Sequence, residues 1–496
     1  MPKLRRSGIL LHPTSLPGSD GIGSLGEEAF RFIDFLANAG QTLWQILPLG
    51  PPGCGNSPYS CFSAFAGNPL LIDLKLISAE GDLNVGELEV FADADRIDFA
   101  AATAYKLPLL KVAAERFFNS GVSERKEDFW KFCDSTFWLH DYALFSALKS
   151  HFNEKEWNRW PENLRKRDKL ACSQFSEKLG SEIGLQKYMQ WQFSRQWGRV
   201  KWRANERGIL IIGDAPIFVA HDSADVWCNQ HIFNLDTSGN PTVVAGVPPD
   251  YFSVTGQRWG NPLYRWDMLA ADNYGWWLAR VKSDLALYDI LRIDHFRGFE
   301  ACWQIPAKEK TAVKGSWGKG PGYALFEALK NGIGELPLIA EDLGTITPEV
   351  ERLRDRCGFP GMKILQFAFD SGADNAYLPH NHIPASVVYT GTHDNDTTRG
   401  WFGSLSKEQQ ERVCDYLQAQ PETVLAAFLR TAFSSVAQSV IIPMQDILGL
   451  DSTGRMNIPG VADNNWGWRL LPGYVESVSS EGLRKFSVLY YRNGQQ

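Results

Sequence analysis

Residues 290–298, Ile290-Leu291-Arg292-Ile293-Asp294-His295-Phe296-Arg297-Gly298, decide the reading of the fold. A short apolar run delivers an acid, and the arrangement returns further on. The run 336–340 ends at Glu341, and 386–389 leads into Thr392-His393-Asp394. Working outward, eight such β-rich runs end in polar residues: 8–11 before His12, 43–47, 209–212 before Asp214, 290–293, 336–340, 364–369 before Asp370, 386–389, and 440–444 before Gln445-Asp446. Eight buried strands alternating with helices predict an α/β fold, the (β/α)8 TIM barrel, whose functional residues gather where the strands' C-terminal ends meet.

The connecting segments agree. Ala29, Phe32, Ile33 and Leu36 fall at i, i+3, i+4 and i+7, and Gly40 is placed to end that helix. Thr347 is placed to cap a helix opening at Pro348 and stopping near Gly358. Two gaps are too wide for a simple βα unit. The first, between the second and third strands, carries helical patterns such as Leu110, Ala113, Ala114 and Phe117 and predicts a mainly helical insertion over 80–205. The second, 220–276, is rich in Gly, Pro, Asp and Trp and suits substrate-covering loops with an active-site lid more than a packed subdomain. The stretch after 444 is too short for a C-terminal β-sandwich, so 1–496 reads as one catalytic barrel with two insertions.

Bulk composition removes several function classes. Fifty Lys and Arg against 57 Asp and Glu leave a net charge of −7 with no basic block, which argues against nucleic acid or a membrane surface as partner. The eight Cys are scattered without a CxxC pair, as expected for reduced thiols in the cytoplasm. The basic N-terminus has an apolar stretch too short for a signal peptide, and no run reaches the length of a membrane helix. No cofactor or metal is expected. THDNDTT at 392–398 lacks the spacing and Gly of an EF-hand, and Gly21–Gly26, though it fits G-x-G-x-x-G, lies past two prolines with no acid placed to hold a ribose. The sequence does not set the oligomeric state.

Three carboxylates at strand ends are what glycosidic-bond chemistry requires: a nucleophile, a proton donor and a charge that steadies the sugar cation. Arg292 and Asp294 are two apart on a strand and point to one side, so the guanidinium keeps the acid ionised. The plainer reading is a structural ion pair, and two further acids on later strands tip the balance. Glu341, next to Asp342 and partly buried, is placed to hold a proton at neutral pH; Asp342 fits a helix N-terminal acid better. His393-Asp394 suits binding of sugar hydroxyls. The loop 248–264, PPDYFSVTGQRWGNPLY, has the composition of a lid over a carbohydrate.

Ordered motifs then carry a resemblance: HPTSLPG at 12–18, SPY at 57–59, FSAFAGNPLLIDL at 62–74, GDAPIFVAHDSADVW at 213–227, RIDHFRG, AEDLG at 340–344, GTHDNDT at 391–397, and MNIPG with NNWGWR at 456–469. Nearly end to end, the chain resembles the amylomaltases, 4-α-glucanotransferases of glycoside hydrolase family 77 in the α-amylase clan. The resemblance implies Asp294 as nucleophile, Glu341 as general acid/base and Asp394 as transition-state stabiliser. It implies that Tyr59, Asp214, Arg292, His295, His393 and Asn465 line the donor-sugar site, with Ser57 a scaffold residue beside it. Asp250, Gln257 and Trp259 would belong to a loop closing over glucan. The implied partners are α-1,4-glucans and maltooligosaccharides, exchanged by a retaining double displacement. An α-amylase-like hydrolase and a non-catalytic glucan-binding protein are the alternatives. One departure from the family pattern is Cys54, where relatives often carry an aromatic that helps form a second glucan-binding groove.

Overall fold

Parallel barrel strands are buried on both faces and need short continuous apolar runs, which is what this chain supplies. The computed structural model describes residues 4–249 and 253–494, without the side chains of Cys54, Val475 and Glu476. In chain order the strands are β1 Arg6–Leu10, β2 Leu43–Gln45, β3 Leu210–Pro216, β4 Val243–Val247, β5 Gln257–Pro262, β6 Ile290–Asp294, β7 Ala301–Pro306, β8 Ser316–Lys319, β9 Leu338–Ala340, β10 Gly361–Ile364, β11 Ser386–Tyr389 and β12 Ser439–Pro443.

Eight of them form one parallel sheet in the order β10-β11-β12-β1-β2-β3-β6-β9, the expected (β/α)8 arrangement. Gly8 pairs with Leu43 where β1 meets β2, and a Cβ at Gly8 would stand 2.3 Å from the Leu43 carbonyl oxygen, so the close approach requires glycine. The seam between β9 and β10 is closed by fewer bonds. The Ala340 N–H donates to the Pro360 carbonyl at 3.0 Å, and the Met362 N–H donates to Asp342 Oδ1 at 2.7 Å. Asp342 is also paired with Arg354 at 2.5 Å. A side chain at Gly361 would collide with Asp342 Oδ2, 2.3 Å from where its Cβ would sit. This corrects the sequence reading of Asp342: it fastens the seam, six residues before the helix Pro348–Cys357 begins.

The sixth barrel strand also differs from expectation. It occupies 361–364, and the apolar run after it turns through a 3-10 helix, Leu365–Phe367. Leu365, Ala368 and Phe369 are buried with Phe402, Phe428 and Phe433 in a cluster on the barrel's flank, while Asp370 is exposed. Their hydrophobicity reports packing, not strand conformation.

The helix Glu27–Asn38 buries Ala29, Phe32, Ile33 and Leu36 as predicted, and Gly40 follows it with φ +66°. Pro348–Cys357 ends at Gly358 with φ +75°, although Thr347 makes no side-chain cap bond. Between β2 and β3 the long helices are Phe99–Asn119, Glu124–Ser135, Leu139–His151 and Gly180–Glu206. Phe117 and Trp191 from these helices share one continuous core with Ile211 and Leu291 of the barrel.

The stretch 220–276 is more ordered than its composition suggests. β4 and β5 join β7 and β8 in an antiparallel sheet of order β5-β4-β7-β8. Beyond β12 no further strand occurs among the described residues.

Candidate active site

Strand register brings the first charged group together. Asp214 on β3 is the partner of Arg292 on β6, and Pro216 is the partner of Asp294. Arg292 donates from Nη1 to Asp214 Oδ2 at 2.6 Å and from Nη2 to Asp294 Oδ1 at 3.0 Å. Its Nε points to Met362 Sδ at 3.4 Å. Burial opposes the charge on Arg292, but Asp214 and Asp294 outweigh it and hold the guanidinium well above its usual range. Tyr59 donates its hydroxyl to Asp214 Oδ2 at 2.7 Å, and Asp214 Oδ1 is buried with no partner. Burial pushes the Asp214 carboxyl up to about 7 against the pull of Arg292.

Glu341 follows β9, the neighbour of β6. Its carboxylate accepts the His295 N–H at Oε2, 2.6 Å, and the Leu343 N–H at Oε1, 3.0 Å. The His295 backbone is left-handed, φ 54° and ψ 48°, a conformation uncommon for a side-chain-bearing residue and frequent at functional turns. Burial first, then the charge of Asp294, push Glu341 up to about 8. The three acids are graded in exposure: Glu341 is 9% exposed as a residue, while the side chains of Asp294 and Asp394 are 30% and 46% exposed.

Asp394 lies beyond β11. Its Oδ1 accepts the Asn457 amide at 2.6 Å, and Oδ2 faces His393 Nε2 at 3.4 Å. Burial lowers the pKa of His393. The His393 ring stacks on Tyr59, centroids 5.1 Å apart at 17°, and Trp466 lies 5.8 Å and 5.9 Å from those two rings. His295 and Trp259 meet edge to face at 4.8 Å, and the Trp259 indole N–H donates to Gln257 Oε1 at 3.0 Å. The structure therefore gathers Tyr59, Asp214, Arg292, Asp294, His295, Glu341, His393 and Asp394 about one mouth, with Gln257 and Trp259 of β5 reaching it through His295.

Ser57 accepts the Tyr59 N–H at 3.3 Å, a scaffold contact. Asn465 is bonded within its own loop: its amide donates to the carbonyls of Val461 at 2.8 Å and Ile458 at 3.4 Å, and its Oδ1 accepts the Ile458 N–H at 2.9 Å. Asp250 lies outside the described residues, as does the Cys54 side chain.

Two residues escaped the sequence reading, and a third, His12, entered it only as the polar end of the first strand run. Asn457 bonds Asp394, Arg455 donates to the Asp394 carbonyl at 2.9 Å, and His12 lines a cavity with His393 and Arg455. Burial, aided by His393, drops His12 to about 3. Asn457 lies inside MNIPG and His12 opens HPTSLPG, so motif membership was the available signal. Among the described residues no three His, Cys, Asp or Glu side chains are grouped to hold a metal ion.

A family model described as 4-alpha-glucanotransferase matches residues 11–474. The 4-alpha-glucanotransferase of Thermus thermophilus is 51% identical over 97% of each chain. The chloroplastic/amyloplastic 4-alpha-glucanotransferase DPE1 of Arabidopsis thaliana is 47% identical over 98% of this chain and 86% of its own. Among solved structures, an amylomaltase from Streptococcus agalactiae in complex with acarbose superposes with a TM-score of 0.95 at 39% identity, covering 98% of this chain and 99% of that one. Strand order, the mouth of acids and these matches across almost the whole length together mean that the chain belongs to the 4-α-glucanotransferase (amylomaltase) family.

Proposed function

We propose that this 4-α-glucanotransferase moves α-1,4-glucan segments between maltooligosaccharides by a retaining double displacement. Asp294 attacks the anomeric carbon while the protonated Glu341 gives its proton to the departing glycosidic oxygen. The C–O bond breaks as the glycosyl ester to Asp294 forms. An incoming glucan hydroxyl then loses its proton to Glu341 and attacks the same carbon, which forms a new α-1,4 bond and frees the Asp294 carboxylate. Asp394 steadies the sugar cation in both steps, and Tyr59, Asp214, Arg292 and His393 hold the donor sugar.

The observation that carries this reading is the pairing of unlike acids on adjacent strands. Asp294 is ion-paired to Arg292, whereas Glu341 is buried deeply enough to be pushed up to about 8. One acid suits attack and the other suits proton transfer. Transfer must still outrun hydrolysis. The strand carrying Gln257 and Trp259, with Asp250 before it, supplies a cover that orients the acceptor hydroxyl and excludes water, an advantage of effective concentration.

We assign the activity to the cytoplasm, supported by the free thiols of the cysteines with described side chains. No helix among the described residues is long and apolar enough to cross a membrane. Incubation with maltotriose tests the function. Longer oligomers plus glucose are expected, and a steady rise in reducing ends without longer products would refute transfer. Asp294→Asn should lower kcat by on the order of 10⁴-fold; near-normal disproportionation by the purified variant would refute the assignment of the nucleophile.

A further inference from the structure

The third acid is held by a segment far from it in sequence. Asn457 is 9% exposed, and its amide N–H donates to Asp394 Oδ1 at 2.6 Å. Arg455 donates from Nη2 to the Asp394 carbonyl at 2.9 Å and from Nε to the Asn457 carbonyl at 2.8 Å, so one guanidinium ties both backbones together. Behind them the Trp466 N–H donates to the Met456 carbonyl at 2.8 Å, and Asn465 bonds both the N–H and the carbonyl of Ile458. Residues 455–466 thus form a strap with one polar side chain directed at the Asp394 carboxylate.

We propose that Asn457 is a positioning residue that fixes the rotation of the Asp394 carboxylate. The physical need is specific. The Asp394 side chain is 46% exposed and would otherwise be free to rotate, whereas a group that must meet the transition state has to wait in the right orientation. His393 Nε2 faces Oδ2 at 3.4 Å, and Arg455 engages only the backbone, so the Asn457 amide is the short donor to the carboxylate itself. An amide also supplies the hydrogen bond without adding a charge that would compete with the sugar cation. The inference rests on the proposed role of Asp394.

Three variants of the full chain, assayed on maltotriose across pH, test it. Asp394→Asn is the benchmark for the underlying role: if it keeps wild-type activity, the reading of Asp394 itself fails. Asn457→Ala should lower kcat by about 10- to 100-fold at every pH with little change in KM. Asn457→Asp keeps the shape and separates positioning from mere loop stability. The introduced carboxyl, pressed against Asp394, takes up a proton at acid pH and donates it as the amide does; at higher pH it loses that proton and repels. Its kcat should therefore recover towards wild type as pH falls from about 8 to about 5. If Asp394→Asn is inactive while Asn457→Ala stays within about twofold of wild type, or Asn457→Asp shows the wild-type pH profile, the positioning role is overturned.

Discussion

At the residue scale, Glu341 is held by opposing forces. The N–H groups of His295 and Leu343 favour its ionised form, while burial and the neighbouring Asp294 charge favour the proton and prevail, leaving it at about 8. The sign for activity follows. Glu341 must carry its proton to protonate the leaving oxygen, so kcat/KM for maltotriose should hold through neutral pH and fall as pH rises through about 8. An alkaline limb well removed from that value would disconnect Glu341 from proton donation. A second outcome depends on the leaving group alone. Glu341→Ala should lose about 10²- to 10⁴-fold on glucan donors, yet much less in the first glycosylation step with α-maltosyl fluoride, because fluoride departs without a proton. Equal losses on both donors would mean that Glu341 serves binding instead.

At the scale of elements, legibility followed how local the cause was. β6 and the helix Glu27–Asn38 were readable because apolar spacing and a terminal glycine lie within a dozen residues. β4 and β5 were not, since β4 gains its partner from β7, with Val243 opposite Pro306 and Gly246 opposite Trp303 across some sixty residues of chain. The same holds for Asn457, whose partner Asp394 lies 63 positions earlier. The barrel acids were visible because each closes or shortly follows its own strand run, whereas a side chain that serves another residue leaves no periodic trace. β5 also carries Trp259, which is 40% exposed and touches His295 edge to face. If this strand is the water-excluding cover, Trp259→Ala should raise hydrolysis relative to transfer severalfold while Asp294 and Glu341 still react. Following glucose and reducing ends from maltotriose would show it, and an unchanged product ratio at reduced overall rate would remove Trp259 from that role.

At the scale of the whole molecule, a barrel built to work with buried acids has an unusual relation between pH and stability. Burial is the leading cause in raising Glu341 to about 8, Asp214 and Asp284 to about 7, and Asp225 to about 6. From the ordinary carboxylate range up to these values, the folded chain keeps protons that the unfolded chain gives up, so their contribution falls as pH rises. Buried histidines act in the opposite direction. His12 and His295 are lowered to about 3 and His382 to about 4, from an ordinary 6.5. Below that ordinary value the unfolded chain binds protons that these rings refuse in the fold, so their contribution falls as pH drops. The two sets oppose each other between about 4.5 and 7, whereas above about 7 the histidines are mostly neutral in both states and the acids dominate. The resistance to urea or heat should therefore decline between pH of about 7 and about 8. Asp284→Asn, which alters a carboxyl paired with Arg280 at 3.9 Å, should flatten that decline without moving the alkaline limb of kcat/KM, because Asp284 contributes to the first and Glu341 sets the second. A melting temperature that rises from about 7 to about 8 would contradict the proton count at its root, since the acids supply the larger protonation difference among these groups in that interval.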